Sequence, residues 1–301
     1  MTRRTLRAPI RIPERGHGLA LFTGAQTAVT VEPAPAHHGV KIQLADAEAF
    51  PACIDHLDTR PPHPAFATLP PRCTTLAAGE REPPVHTVEH VLAALAGLGI
   101  TDALVRIDSS SEAFEVPILD GSAGAIVEAI ALIGVAAHAD ASRWVALPRP
   151  VEVTQADAVV RCDPCPPEDA RFGYELRYDH PFLGEQSAAW DAADTAGFAA
   201  TVARARTFSL EAEARAAQDA GLFPGLTPTD LLVIGDDGPI DNELRFDNEP
   251  AAHKLLDLVG DLALAANLLG GPIAMRVLAH KSGHALHHLA ARAIVRAVRG
   301  N

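Results

Sequence analysis

Three clusters of residues in this 301-residue chain have the types and spacings that hydrolysis of a polar bond requires. The first is His253, Asp257 and Asp261, which recur at i, i+4 and i+8 and so share one face of a helix. The stretch that holds them, AAHKLLDLVGDLALAANLLGG, is otherwise almost wholly apolar. Such a helix is buried, and burying an imidazole and two carboxylates is costly unless they are paired or bound to metal. An exposed polar stripe would normally bring more Lys, Arg and Glu. His253 and Asp257 together offer two ligands to a catalytic zinc, which takes three protein ligands and leaves a position for water.

The second cluster is His86-Thr-Val-Glu-His90. His90 supplies a third ligand, and Glu89 beside it can take a proton from a water whose pKa zinc lowers to about 7. The same five residues also spell H-x-x-E-H, the inverted zincin peptidase pattern, in which His86 and His90 would both be ligands. That alternative needs its own downstream carboxylate and leaves the His253–Asp257–Asp261 row without a task. The third cluster, Lys281-Ser-Gly-His284, sits where a strand gives way to a helix, and helix N-termini favour anions. His284 can act as general acid to an amine leaving group, with Asp261 orienting it; the plainer alternative is a helix cap or surface histidine.

These clusters need elements to carry them, and the pattern supplies two similar sets. In the first half, Thr87–Gly97 reads as a helix, Asp102–Ile107 as a strand and Ser122–Ile133 as a helix. In the second, Pro250–Leu269, Ile273–His280 and Gly283–Val298 repeat that order. Glycines follow both first helices, as normal C-terminal stops. Further strand-like runs are Ala28–Val31, Val40–Leu44, Val151–Val153 and Tyr174–Tyr178, and Gly134–Pro150 reads as a linker. The expectation is an α+β fold with internal duplication, its two domains at 1–138 and 145–301, each with a small sheet and two helices.

Composition narrows the function. With 48% apolar and 21% charged residues the chain is globular, and its longest apolar run, near Val91–Ile100, is far below the roughly 20 residues of a membrane span. No apolar segment follows the basic start, so no secretory signal is read and the cytoplasm is the expected compartment. A net charge of −13 opposes binding to nucleic acid. Four cysteines are too few for a disulfide scaffold, and Cys162 and Cys165 form a CxxC without a second pair. The three lysines stand against 22 arginines, yet two of them, Lys254 and Lys281, fall within the clusters above.

Taken in order, Cys73-Thr-Thr-Leu76, Thr87-Val-Glu-His90, Val116-Pro-Ile-Leu-Asp-Gly-Ser122, Ala205-Arg-Thr-Phe208, Leu244-Arg-Phe-Asp-Asn-Glu249, His253-Lys-Leu-Leu-Asp257, Gly260-Asp261 and Lys281-Ser-Gly-His-Ala-Leu286 span most of the chain. In these the sequence resembles the UDP-3-O-acyl-N-acetylglucosamine deacetylase family, zinc enzymes of lipid A synthesis. The resemblance implies a fold of two β–α–α–β-type domains whose helix layers pack together around the site. It also implies zinc on His90, His253 and Asp257, Glu89 as base, His284 as cationic partner supported by Asp261, and Thr207 at the oxyanion. Lys254 and Lys281 would contact the substrate and its diphosphate, with Phe208 against the sugar or nucleotide. The expected partner is a nucleotide sugar, possibly acylated, acted on by a monomer.

The chain departs from the family in three places. Gly18-Leu-Ala-Leu-Phe-Thr-Gly24 puts Phe22 where a histidine is usual and Ala20 where a glycine is usual. Glu211 stands where an apolar residue of the acyl passage is expected, and His287 and His288 replace two asparagines. Glu211 and Phe22 raise the alternative of a paralogue that deacetylates another N-acetylated sugar or nucleotide sugar with weak dependence on an acyl chain. A non-catalytic binding homologue is the remaining alternative, opposed by the retained ligands, base and acid.

Overall fold

Apolar residues at alternate strand positions build two sheets on one plan. On β6 (Ala103–Ser109), Ala103, Val105 and Ile107 are buried while their neighbours are not, as a half-buried strand requires. The computed structural model describes residues 2–15, 18–141, 143–223, 225–228 and 230–300. After an opening strand β1 (Thr2–Leu6), the first half runs β2 (Ile10–Ile12), β3 (Gln26–Pro33), β4 (Val40–Leu44), β5 (Phe50–Pro51), α1 (Glu89–Gly97), β6 and α2 (Gly124–Ile133). A strand β7 (Val135–Ala141) leads to the second half. It runs β8 (Val151–Gln155), β9 (Ala158–Pro164), β10 (Arg171–Arg177), β11 (Glu185–Asp191), α3 (Thr195–Ala200), α4 (Glu211–Asp219), α5 (Glu249–Leu269), β12 (Ile273–His280) and α6 (His284–Arg299).

The spatial orders are β2-β3-β6-β4-β5 and β8-β9-β12-β10-β11. In each sheet the strand after the long-range helix is antiparallel to one neighbour and parallel to the other: β6 to β3 and β4, β12 to β9 and β10. The duplication expected from the repeated helix–strand–helix order is therefore present in the topology. One apolar core runs through both halves, with α1 and α5 in contact at its centre.

Two backbone features set that contact. A Cβ on Gly260 would lie 2.1 Å from the Glu89 carbonyl oxygen, so α5 approaches α1 as closely as only glycine permits. The helix α1 begins at Glu89 and not at Thr87, because Thr87 is left-handed (φ 61°) and its hydroxyl donates to Glu115 at 3.1 Å. Glu115 is fully buried and also accepts from the Phe22 and Thr23 amides, an anchor that local periodicity could not reveal.

Elsewhere the expected elements differ only at their ends, apart from the presumed linker. Within 134–150, β7 pairs with β1, and Val145–Ala146 pairs in parallel with Ile273–Ala274 of β12. Small residues there alternate well enough to complete sheets that began far away in sequence. The strand β11, the helices α3 and α4, and a small sheet of Phe208–Leu210, Leu232–Gly235 and Gly238–Pro239 were not anticipated. Gly260→Ala is expected to destabilise the protein by about 1–3 kcal/mol, the usual range for overpacking. Urea denaturation checks this, and a change below about 0.5 kcal/mol, typical of a surface site, would show that the close approach relaxes freely.

Candidate metal centre and active site

The polar row on α5 meets the start of α1 where the two helices touch. His90, His253 and Asp257 converge there, each with a ligand atom within 4.8 Å of the others. Asp257 Oδ1 lies 3.3 Å from His253 Nε2 and 3.6 Å from His90 Nε2, and the two rings meet edge to face. Neighbouring groups set the protonation state of His253 and Asp257. His253 Nδ1 donates to the Ala205 carbonyl at 3.1 Å, which leaves the Nε2 lone pair facing the site. Burial pushes His253 down to about 3, so the imidazole is neutral, as a metal requires. Burial would raise Asp257, but the charges of Lys254 and His284 outweigh it and hold the carboxyl well below its ordinary range. Lys254 Nζ donates to Asp257 Oδ2 at 3.0 Å, while Oδ1, buried, has no hydrogen-bond partner. A buried carboxylate oxygen left open between two imidazole nitrogens is the arrangement a divalent cation completes.

A second set, Asp261, His284 and His288, also brings three possible ligand atoms within 4.8 Å. Its chemistry is different. Asp261 Oδ2 accepts from His284 Nδ1 and His287 Nδ1, both at 2.8 Å, and Oδ1 accepts from the Thr74 hydroxyl. These atoms are spent on one another, so this set orients side chains and leaves no open ligand position. Burial alone would lower His284, but Asp261 and Asp257 prevail and raise it to about 9, so the ring is cationic at neutral pH. His284 Nε2 is directed back toward the first set, 3.8 Å from Asp257 Oδ2. Glu89 is buried beside both sets; its Oε2 accepts from the Thr74 amide at 2.9 Å, and burial pushes it up to about 7. A carboxylate near neutrality is suited to general-base work.

The segment 205–208 is held at the edge of this cluster by a buried ion pair. Arg206 binds Glu249 through Nε at 2.8 Å and Nη2 at 3.0 Å, clamping the segment to the start of α5. Thr207 follows, its amide donating to the Gly121 carbonyl at 2.8 Å. Phe208 lies under Lys254 (Nζ 5.7 Å from the ring centroid) and against the Tyr178 ring. Lys281 stands apart: its ammonium is taken by the exposed Asp157, away from the buried sets. His86 also belongs to neither set, and its Nδ1 meets the Thr75 hydroxyl at 2.9 Å. Among residues given no role from the sequence, Thr74, Glu115, His287 and His288 carry hydrogen bonds around the site. Only their residue types, buried polar groups in apolar surroundings, hinted at this.

The departures also find their places. Phe22 is buried against Phe66 and Phe223 (centroids 5.4 and 6.0 Å) in a cluster with Leu21, Cys73 and Ile118, onto which Leu226 and Leu231 pack. Glu211, at the first turn of α4, is paired with Arg215 at 2.5 Å and keeps 38% of its side chain exposed. Its charge is therefore met by a cation and water, and the objection it raised to an acyl passage loses its basis.

Two duplicated α+β halves that close on a buried His/His/Asp set, with a carboxylate alongside, define a metal-dependent hydrolase. A family model described as UDP-3-O-acyl N-acetylglycosamine deacetylase matches residues 3–296. The chain belongs to that family. Curated relatives named UDP-3-O-acyl-N-acetylglucosamine deacetylase include one from Trichormus variabilis, 38% identical over 90% of this chain and 91% of the relative. Another, from Xanthomonas campestris pv. campestris, is 32% identical over 97% of this chain and 89% of the relative.

Metal analysis of dialysed protein checks the choice between ligand sets. His253→Ala and Asp257→Ala are expected to lose the bound divalent ion and His86→Ala to keep it; the reverse pattern would sink the assignment.

Proposed function

We propose that this protein removes the acetyl group from UDP-3-O-acyl-N-acetylglucosamine by zinc-dependent amide hydrolysis, as a step of lipid A synthesis. The observation that carries the mechanism is the open Asp257 Oδ1, facing His90 Nε2 and His253 Nε2. Zinc held by these three residues supplies a Lewis acid for the amide carbonyl and lowers the pKa of water. Glu89 takes the proton as water adds to the acetyl carbon, its other oxygen steadied by the Thr74 amide. His284, charged and anchored through Nδ1 on Asp261, gives its Nε2 proton to the amine nitrogen as the C–N bond breaks. Acetate and the free amino sugar are the products, and Thr207 donates to the oxyanion as charge builds.

Lys254 steadies Asp257 and, with Phe208, offers a cationic and aromatic wall to the nucleotide sugar. Lys281 would exchange Asp157 for the substrate diphosphate. The apolar group of Phe22, Phe66, Phe223, Leu226 and Leu231 would receive the acyl chain. No helix among the described residues is long and apolar enough to cross a membrane. A monomer working in the cytoplasm, with domains at 1–138 and 145–301, belongs to the same proposal.

Two measurements follow. Glu89→Gln is expected to retain the metal while kcat falls about 10²–10⁴-fold, the usual contribution of a positioned base; unchanged turnover in acetate-release assays would remove Glu89 from the mechanism. Shortening the 3-O-acyl chain by four methylenes is expected to lower kcat/KM about a hundredfold, at about 0.8 kcal/mol for each buried CH₂. A flat response across chain lengths would instead favour a deacetylase of another N-acetylated sugar.

A further inference from the structure

We infer that Thr74 is a positioning residue that couples the general base to the general acid across the boundary between the two halves. The inference rests on the deacetylase reading of the site and assigns a role to a residue outside its ligands, base and acid. Thr74 is fully buried and touches all three helices that carry the machinery. Its amide donates to Glu89 Oε2 at 2.9 Å, and its carbonyl accepts from the Val88 amide at the mouth of α1. Its hydroxyl reaches Asp261 Oδ1 on α5 and His288 Nε2 on α6, the latter at 2.8 Å.

Counting donors fixes the direction of every bond. Asp261 is held ionised, its carboxyl kept well below the ordinary range, because His284, His287 and His288 outweigh the effect of burial. An ionised carboxylate only accepts, so the single Thr74 hydroxyl proton goes to Asp261 Oδ1. The hydroxyl oxygen must then accept from His288, which carries its proton on Nε2. At Oδ2 the two remaining donors are His284 Nδ1 and His287 Nδ1, and His287 Nε2 is left to accept from the Ser282 hydroxyl at 2.8 Å. Asp261 is thereby held at both oxygens, and the plane of its carboxylate, which aims the His284 ring, cannot turn without breaking the Thr74 bond. The same residue holds the Glu89 carboxylate, so a shift at one group is felt at the other.

Thr74→Val keeps the shape and the amide bond to Glu89 while deleting the hydroxyl; Thr74→Ser keeps the hydroxyl. In acetate-release assays with UDP-3-O-acyl-N-acetylglucosamine, T74V is expected to lower kcat about tenfold to a hundredfold, the scale of a small misplacement of reacting groups. KM and metal content should stay near the parent values, and T74S should recover most of the loss. A purely structural role would lower the thermal midpoint and leave kcat of the folded enzyme intact. If T74V does not fold, His288→Ala, which removes the donor that orients the hydroxyl, is expected to lower kcat at constant KM. Parental kcat in T74V, or in H288A should T74V not fold, would overturn the inference, as would equal impairment of T74S and T74V. A parent enzyme that releases no acetate would overturn both the inference and the deacetylase reading; an active parent with an unimpaired T74V overturns the inference alone.

Discussion

The contact of Gly260 with the Glu89 carbonyl governs the geometry of the whole site. The proposed base and one proposed ligand lie in the first half on α1, whereas the other two proposed ligands and the support of the proposed acid lie in the second on α5. Their separations are set by how closely those helices approach, and at this point a Cβ would sit 2.1 Å from the opposing carbonyl. The sheets on either side hold this pair of helices in place. The duplicated topology matters to function because it brings the equivalent helices α1 and α5, each followed by the central strand of its sheet, to the same interface.

Burial of α5 then divides one row of polar residues into two kinds of site. Asp257 and Asp261 are four residues apart on one face and both almost fully buried, yet their environments give them opposite tasks. Asp257 has one oxygen on Lys254 and one left open to two imidazoles, whereas Asp261 is saturated by donors from Thr74, His284 and His287. Hydrogen-bond completeness, more than residue type, separates the ligand from the orienting carboxylate. The low polarity around them makes incomplete satisfaction costly, so the open oxygen of Asp257 suits the cation proposed above.

The periphery is built more loosely. Lys281 pairs with exposed Asp157 and Glu211 with exposed Arg215, contacts that water screens and a ligand can replace. Phe22 is buried in an apolar cluster whose other members, Phe66 and Phe223, come from segments distant in sequence. The groups proposed to recognise substrate thus lie around the buried polar centre and outside it, the usual division between specificity and chemistry.

Much was legible in the residues themselves. The spacing of His253, Asp257 and Asp261 in an apolar helix, the adjacency of Glu89 and His90, and the repeated helix–strand–helix order follow from periodicity, which is local and survives without coordinates. The sequence alone could not say whether His86 or His253 partners His90, because that depends on which helix packs against α1. In the structure it is the His253 ring that stands beside His90, because α5 approaches α1 closely at Gly260. Nor could it say that Thr87 turns left-handed to start α1 late, since the cause, Glu115, lies 28 residues away. Tertiary structure likewise gave 134–150 its strands. In each case the deciding interaction was a hydrogen bond or contact between residues whose meeting only the folded chain arranges, and a one-dimensional pattern carries no term for it.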